Sequence, residues 1–346
     1  MKTVFVGLSG GVDSAVSAAL LKEAGHTVVG AFIKIWQPEF IECTWKEDRL
    51  DAMRVAAALN IPFMEIDLSE SYKKNVIEDM LKGYAGGITP NPDILCNTYI
   101  KFGDFANWAF ENGAEMVATG HYARVEERNG TRALLRGSDS DKDQSYFLYR
   151  IEPSILMRTL FPLGNLHKGD VRALARTFNL PNAERPDSQG LCFVGHITMK
   201  DFLRRFISVE SGSVVDMKGA VIGSHEGAAL YTIGQRHGFT VHATSGRTHY
   251  VVDVDIAANT LHVSEERADA EKGTVDIEAM HWLGETPASP FEAEVQTRYR
   301  EKPVRAGMEQ MKEGLRATLA EPHLVSPGQS AVLYDGERVL GGGIIT

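Results

Sequence analysis

The feature that most restricts what this chain can fold into lies at its start. Thr3-Val4-Phe5-Val6-Gly7 is a short apolar run of β-branched and aromatic residues, and it reads as a buried strand. Leu8-Ser9-Gly10-Gly11-Val12-Asp13-Ser14 follows, and Ala15 to Ala24 then reads as a helix closed by Gly25. Strand, glycine turn and helix together make an anion site. Two glycines let the backbone turn tightly and approach a ligand, while the helix start aims free N–H groups at it. Ser9 and Ser14 add hydroxyl donors. Asp13 cannot meet a phosphate directly, so it either works through a magnesium ion or caps the helix. The plainer alternative is an ordinary strand-to-helix turn with Ser and Asp as caps.

No Gly-Lys-Ser/Thr follows the glycines, so the loop is not a Walker A loop, and it is not Gly-x-Gly-x-x-Gly. It resembles the Ser-Gly-Gly-x-Asp-Ser loop of ATP pyrophosphatases. That resemblance implies that ATP is cut between its α and β phosphates and that a substrate oxygen is adenylated.

The strand–helix rhythm continues. Thr27 to Ile33 reads as a second strand, about Trp45 to Leu59 as a helix capped by Thr44, Phe63 to Leu68 as a third strand, and Ser69 to about Lys82 as a helix. Such β-α-β-α-β order predicts a parallel sheet covered on both faces, with ligands at the carboxyl ends of its strands. An irregular loop, Gly86 to Asn97, runs into a helix from about Thr98 to Glu111. Glu115 to His121 reads as a strand, and Arg124 to Leu135 as a hairpin about Asn129-Gly130. Asp141 to Leu148 is expected to open a helix, and His167 to Phe178 to form one with Val171, Leu174, Ala175 and Phe178 on its buried face. Beyond about Ser208, short alternating strands and turns take over.

At 346 residues the chain is longer than one compact core usually spans. The expected fold is a doubly wound, mostly parallel α/β sheet of the ATP pyrophosphatase (adenine nucleotide alpha hydrolase-like) kind, followed by two small β-rich domains. The expected boundaries are 1–205 for the catalytic domain, 206–272 for a central β-rich domain and 273–346 for a C-terminal β-barrel. A net charge of −10 argues mildly against a surface coated for nucleic acid, although a local basic face is enough to bind one. Three cysteines are too few for a disulfide framework, which points to a reducing compartment. No signal peptide and no apolar run of about 18 residues is seen, so a cytoplasmic protein without a membrane partner is expected.

Cys96 and Cys192 each lie in a Gly/Pro-bounded loop, where a thiol can face a nucleotide or simply be buried. Cys96 is read as beginning a helix, whose dipole would favour thiolate. No Cys-x-x-Cys pairing suggests a metal site, and none is assigned.

From here the chain closely resembles the bacterial tRNA-specific 2-thiouridylase family. The marks are Ser9-Gly10-Gly11-Val12-Asp13-Ser14, Thr89-Pro90-Asn91-Pro92-Asp93-Ile94-Leu95-Cys96-Asn97, Ala118-Thr119-Gly120-His121-Tyr122, Asp141-Lys142-Asp143-Gln144-Ser145-Tyr146-Phe147-Leu148, Gly190-Leu191-Cys192-Phe193, Thr232-Ile233-Gly234-Gln235-Arg236 and Thr297-Arg298-Tyr299-Arg300. The similarity spans nearly the whole chain.

The resemblance implies that a wobble uridine in tRNA (those for Glu, Gln and Lys) receives sulfur at C2, with ATP and Mg2+ as cofactors. Cys192 would carry a persulfide delivered by a cysteine desulfurase or relay protein. Cys96 would release the sulfur and end in a Cys96–Cys192 disulfide, and Asp93 would serve as acid or base beside it. Gly7, Leu8, Ser9, Gly10, Gly11, Val12, Asp13, Ser14, Ile33 and Gly120 would contact ATP. Asn91, Pro92 and Asp93 would hold the extruded base. His121, Lys142, Asp143, Gln144, Arg298, Tyr299 and Gln329 would contact tRNA. The segment Trp36 to Thr44 departs from the family pattern, so Cys43 receives no role, and Ile33 stands where a methionine is common. Arg298, Arg300, Lys302 and Arg305 cluster with Tyr299, a combination suited to phosphate contact and stacking.

Two other readings compete. Another ATP pyrophosphatase, such as an amidotransferase or ligase, explains the loop but leaves the paired cysteines idle. A non-catalytic RNA-binding protein wastes the phosphate loop.

Overall fold

The computed structural model describes residues 1–41, 45–128, 130–186, 197–242 and 246–346, with Arg128 described by its backbone alone. Cys43, Thr44, Asn129 and Cys192 fall outside the described residues.

The N-terminal strands are β1 (Thr3–Gly7), β2 (Thr27–Lys34), β3 (Phe63–Asp67), β4 (Met116–Ala118), β5 (Ala123–Arg128), β6 (Thr131–Arg136) and β7 (Thr159–Leu160). Five of them form a parallel sheet in the order β3-β2-β1-β4-β7. The order reverses between β1 and β4, and sheets of this kind take ligands at such a switch point, outside the strands' carboxyl ends.

Strand β1 is apolar throughout because both of its faces are covered. Val4 and Val6 pack beneath α1 (Val12–Glu23) and α2 (Trp45–Ala58). Phe5 points the other way, into a cluster with Phe105, Ala106 and Ala109. Each such side chain contributes roughly 1.5–3 kcal/mol by leaving water. The second face is covered by two long helices, α3 (69–85) and α4 (92–111), each with a π-helical stretch, at Lys73–Ile77 and Cys96–Asp104. Helix α5 (Lys168–Thr177) lies beside α1 and sends Val171 and Ala175 into its core.

Residues 212–264 hold a five-stranded sheet of β8 (Gly212–Val215), β9 (Val221–His225), β10 (Thr240–Val241), β11 (Tyr250–Asp255) and β12 (Thr260–Ser264). The short helix α6 (Met199–Leu203) belongs to its core through Phe202 and Leu203. The last strands are β13 (Glu271–Trp282), β14 (Phe291–Gln296), β15 (Val304–Gln310), β16 (Leu315–Leu324), β17 (Ser330–Asp335) and β18 (Arg338–Ile345). They pair in the order β13-β16-β15-β14-β17-β18, and β18 returns to β13, which closes a barrel.

The expected β5–β6 hairpin forms, and Leu135 pairs with Arg338, which joins it to β18 of the barrel. Two expectations need correction. The stretch from Asp141 yields only a 3₁₀ turn, Ser145–Leu148. There the carboxylates of Asp139 and Asp143 accept the backbone N–H groups of Asp141 (3.1 Å), Gly137 (2.8 Å) and Ser145 (3.0 Å), which competes with helix formation. Finally, Cys96 does not begin a helix. Asn91 caps α4, with its side chain accepting from the N–H of Asp93 and Ile94, and Pro92 fills the first turn. The Cys96 N–H is already bonded to the carbonyls of Pro92 and Asp93.

Among the described residues no helix is long and apolar enough to cross a membrane.

Candidate functional site: an anion loop and a thiol helix at one sheet edge

The Ser9–Ser14 loop is held largely by its own side chains. Ser14 Oγ donates to the Gly11 carbonyl (3.1 Å) and accepts from the Ser9 N–H (3.2 Å), and the two serine hydroxyls lie 3.3 Å apart. Gly10 has φ +78°, and a Cβ there would stand 2.6 Å from the Asp48 carbonyl oxygen, so no other residue fits. A Cβ on Gly11 would meet only Ser9 Oγ, at 3.3 Å, which leaves that backbone open to a ligand. Leu8 is buried and offers backbone alone, and Val12 is likewise core. Ile33 and Gly7 come together at the ends of β2 and β1, with Ile33 Cδ1 3.9 Å from where a Gly7 Cβ would be. Gly120 closes the other side: a Cβ there would lie 2.8 Å from Ser14 N.

Asp13 neither caps α1 nor stands alone. Its carboxylate accepts Lys168 Nζ at 2.7 and 2.9 Å and the Tyr122 hydroxyl at 2.9 Å. Sequence reasoning missed Lys168, although it left a trace. Lysine as the first residue of α5 opposes the helix dipole, and such a placement asks for an anion nearby. Arg185 and Asn182 were missed too. Arg185 Nη1 donates to Asp51 (2.7 Å) and to the Gly10 carbonyl (3.3 Å), Nη2 reaches Asp48, and Asn182 Nδ2 also donates to the Gly10 carbonyl (2.7 Å). These contacts anchor the loop's back to α2.

Helix α4 carries Asp93 and Cys96. Burial raises the Asp93 carboxyl above its ordinary value, and the Lys101 charge pulls it partly back. Cys96 is 6% exposed and belongs to an apolar cluster that runs from α3 into the central sheet. Pro92 is buried as well. Asn97 Nδ2 donates to the Phe147 carbonyl (3.3 Å), while its Oδ1 is buried with no partner among the described residues.

His121 lies inside rather than on the surface. Its Nδ1 is 2.7 Å from Thr119 Oγ1 and its Nε2 3.4 Å from Lys101 Nζ. Burial first, and the Lys101 charge second, hold it well below the usual imidazole range. Asp143 is occupied by Gly137 and Ser145, and burial raises its carboxyl despite those bonds. Gln144 exchanges bonds with the Tyr122 backbone, accepting from its N–H at 3.0 Å. Lys142 stays partly exposed in the same turn.

Tyr299 reaches from the barrel to the residues just after this turn, its ring centroid 4.3 Å from that of Phe147. Arg300 and Lys302 are exposed on the link into β15, and Arg305 is exposed within it. Gln329 sits apart from them and donates to the Thr89 carbonyl (2.7 Å). Thr89 also takes the Pro327 carbonyl with its N–H (2.9 Å) and pairs its hydroxyl with that of Thr232 (3.0 Å). All three domains therefore meet just ahead of Asn91.

Family models match the chain in three consecutive pieces. They describe a tRNA methyl transferase HUP domain (residues 2–196), a tRNA methyl transferase PRC-barrel domain (200–265) and an aminomethyltransferase beta-barrel domain (272–345). A protein named tRNA-specific 2-thiouridylase MnmA from Stenotrophomonas maltophilia (strain R551-3) is 43% identical over 352 residues, 99% of this chain and 93% of its own length. One of the same name from Cupriavidus metallidurans is 43% identical over 355 residues, covering 99% of each chain. Another, from Akkermansia muciniphila, is 43% identical over 350 residues, 99% of this chain and 98% of its own. Likeness to solved structures is distant: the U34-tRNA thiolase NcsA from Methanococcus maripaludis aligns with 56% of this chain and 61% of its own at 18% identity and a TM-score of 0.37. With end-to-end relatives at this identity, the chain belongs to the tRNA-specific 2-thiouridylase family.

Proposed function

We infer that this chain is a tRNA-uridine 2-sulfurtransferase that uses ATP to replace the C2 oxygen of a wobble uridine with sulfur. The observation that carries the reading is the match to 2-thiouridylases along 99% of the chain. The chemistry of the site agrees. A C2 carbonyl oxygen is a poor leaving group, and adenylation turns it into AMP. The uridine oxygen attacks the α-phosphorus, a P–O bond forms and pyrophosphate departs. A persulfide then attacks C2 and expels AMP, and the sulfane sulfur stays on the base as the S–S bond is cut by a second thiol.

The open backbone at Gly11, the Ser9 and Ser14 hydroxyls and the start of α1 suit the phosphate chain, and Ile33 offers adenine an apolar edge. A magnesium ion bound with the phosphates would supply neutralising charge, and Asp13 is the loop carboxylate that would hold it, sharing its oxygens with Lys168 and Tyr122. Asn91, Pro92 and Asp93 hold the base, which must leave the stack for C2 to be approached. Asp93, its affinity for a proton raised by burial, suits proton transfer at that base. Cys96 and Cys192 are the two thiols. Ile197, five residues after Cys192, packs in the apolar cluster that holds Cys96. Tyr299, Arg298 and the Lys142–Gln144 turn suit the anticodon loop, and a persulfide-bearing protein supplies the sulfur.

The test combines products with thiol variants. Incubation with tRNA, ATP and a persulfide donor should give 2-thiouridine, AMP and pyrophosphate; ADP as the main nucleotide product overturns the reading. Cys192→Ser should abolish sulfur loading and thiolation. Cys96→Ser should keep an adduct of about 32 Da on the Cys192 peptide while thiolating little tRNA. Cys43→Ser should resemble the parent, and an adduct found on Cys43 instead would overturn the thiol assignment.

A further inference from the structure

Helix α4 has a single basic residue, Lys101. Its height above the sheet is set by neighbours on either side. Phe105, four residues on, places a ring carbon 3.8 Å from where a Gly7 Cβ would be, so that turn of α4 lies against the end of β1. Asp93 and Cys96 stand further along toward the helix start. Lys101 thus lies between the end of β1, where the anion loop begins, and the thiol, on the one helix that spans both.

From the other side His121 meets it, with Nζ and Nε2 3.4 Å apart. An ammonium can only donate, so Nε2 accepts and Nδ1–H donates to Thr119 Oγ1. The imidazole is neutral and only orients the ammonium. The Phe102 and Phe161 rings flank His121, at 5.9 and 6.1 Å, and leave it little room to turn. Gly120, just before it, packs on the first turn of α1. Among the described residues Lys101 forms no ion pair, although it is half-buried. Asp93 feels its charge only from beyond ion-pair distance. A half-buried cation oriented by a neutral acceptor at the switch point suits an anionic ligand.

We propose that Lys101 is a phosphate-contacting catalytic residue, whose ammonium holds a non-bridging oxygen of the nucleotide's α-phosphoryl group. The proposal rests on the sulfurtransferase reading, which requires the α-phosphorus to be joined to the base. That atom must therefore lie between the phosphate loop and the thiols, and Lys101 is the α4 cation at that level. Its role is a hydrogen bond with no proton given up. Charge grows on the non-bridging oxygens as the uridine oxygen adds and pyrophosphate leaves, and the same oxygen is held while AMP is expelled.

Pyrophosphate release from ATP, dependent on tRNA and measured on the full chain without a sulfur donor, reads the step. Lys101→Met should lower it by about 100-fold, the scale of losing one preorganised donor, while Lys101→Arg recovers about tenfold. A second readout uses the two diastereomers of ATP carrying sulfur at the α-phosphorus. Lys101→Met should change the parent's preference between them by about tenfold, because a donor that held one oxygen is gone. Where the methionine variant does not fold, Lys101→Gln keeps a donor to His121 without the charge and serves the same comparison. Release within about threefold of the parent, or an unchanged diastereomer preference, overturns the proposal. A parent that itself releases no pyrophosphate ends the functional reading as well, whereas an active parent with an indifferent Lys101 ends this proposal alone.

Discussion

Two loops supply the candidate site, and they are held differently. The loop from Ser9 to Ser14 is fixed within itself, by bonds between residues no more than five apart and by a glycine at φ +78°. The loop from Gly86 to Asn91 is fixed by other domains. Thr89 alone is tied to Pro327, Gln329 and Thr232. The first makes its turn with its own side chains and is braced from behind, within the N-terminal domain, by Asn182 and Arg185 on the Gly10 carbonyl and by Lys168 on Asp13. The second adds bonds from the central sheet and the barrel to its local ones. The phosphate loop is therefore held within one domain, while presentation of the base draws on all three.

Two neighbouring glycines give the sharpest way to break that contrast, and the largest effect. Gly10→Ala forces a left-handed backbone on an L-residue at about 1–2 kcal/mol and drives a methyl into the α2 backbone. Nucleotide binding should vanish, and the melting temperature should fall by several degrees. Gly11 has φ −78°, which alanine accepts, and its added carbon meets one hydroxyl. Gly11→Ala should fold like the parent yet bind ATP about tenfold more weakly, because the methyl stands where a phosphate approaches. Calorimetric titration with ATP and thermal unfolding of both variants decide it. Equal loss of stability in the two would mean that the loop is not fixed by its own geometry.

The same contrast explains what the sequence disclosed. The strand, loop and α1 follow from neighbours in the chain, so Thr3 to Ser14 was readable, as were β2, β3 and α5. What stayed hidden depends on distant partners. Lys168 reaches Asp13 across 155 positions. The Arg124–Leu135 hairpin is local, but its membership in the barrel rests on Arg338. Cys96 was legible as a reactive type, yet its burial in an apolar cluster was not. Asp141 to Leu148 misled because Asp139 and Asp143 spend their carboxylates on nearby backbone rather than on solvent.

His121 offers an intermediate effect with a defined sign. Its folded value is depressed well below the ordinary 6.5, chiefly by burial. In acid the unfolded chain therefore takes a proton that the native ring refuses, and stability is lost as pH falls below 6.5. The slope approaches about 1.4 kcal/mol per pH unit while only the unfolded state titrates. The charged group facing the ring is Lys101, whose charge Asp93 also feels. Asp93 has the opposite sign, since its raised carboxyl gains a native proton on acidification, but it is common to parent and variant. Urea unfolding of parent and His121→Gln at pH 7.5, 6.5 and 5.5 should show the parent losing its advantage toward the acid end. Parallel losses would mean that His121 titrates alike in both states and is not enclosed.

The smallest effect lies at the three-domain junction. The hydroxyls of Thr89 and Thr232, 143 positions apart, are 3.0 Å from each other. Replacing either by valine removes one hydrogen bond, worth about 1 kcal/mol, and leaves the other hydroxyl to find water. Each single variant also carries unrelated packing changes, because valine is not an isostere in polar surroundings. The informative quantity is the coupling between them. If the base-presenting loop is held by the central sheet, the Thr89→Val/Thr232→Val cycle should return about 0.5–1 kcal/mol of interaction in urea unfolding. The same cycle read on ATP affinity should return none, since the phosphate loop is held elsewhere. Zero coupling in stability would mean that the junction rests on the bonds from Thr89 to Pro327 and Gln329. Coupling that appeared in ATP affinity would mean that the two loops are not independent, and would remove the distinction between a local phosphate site and an assembled base site.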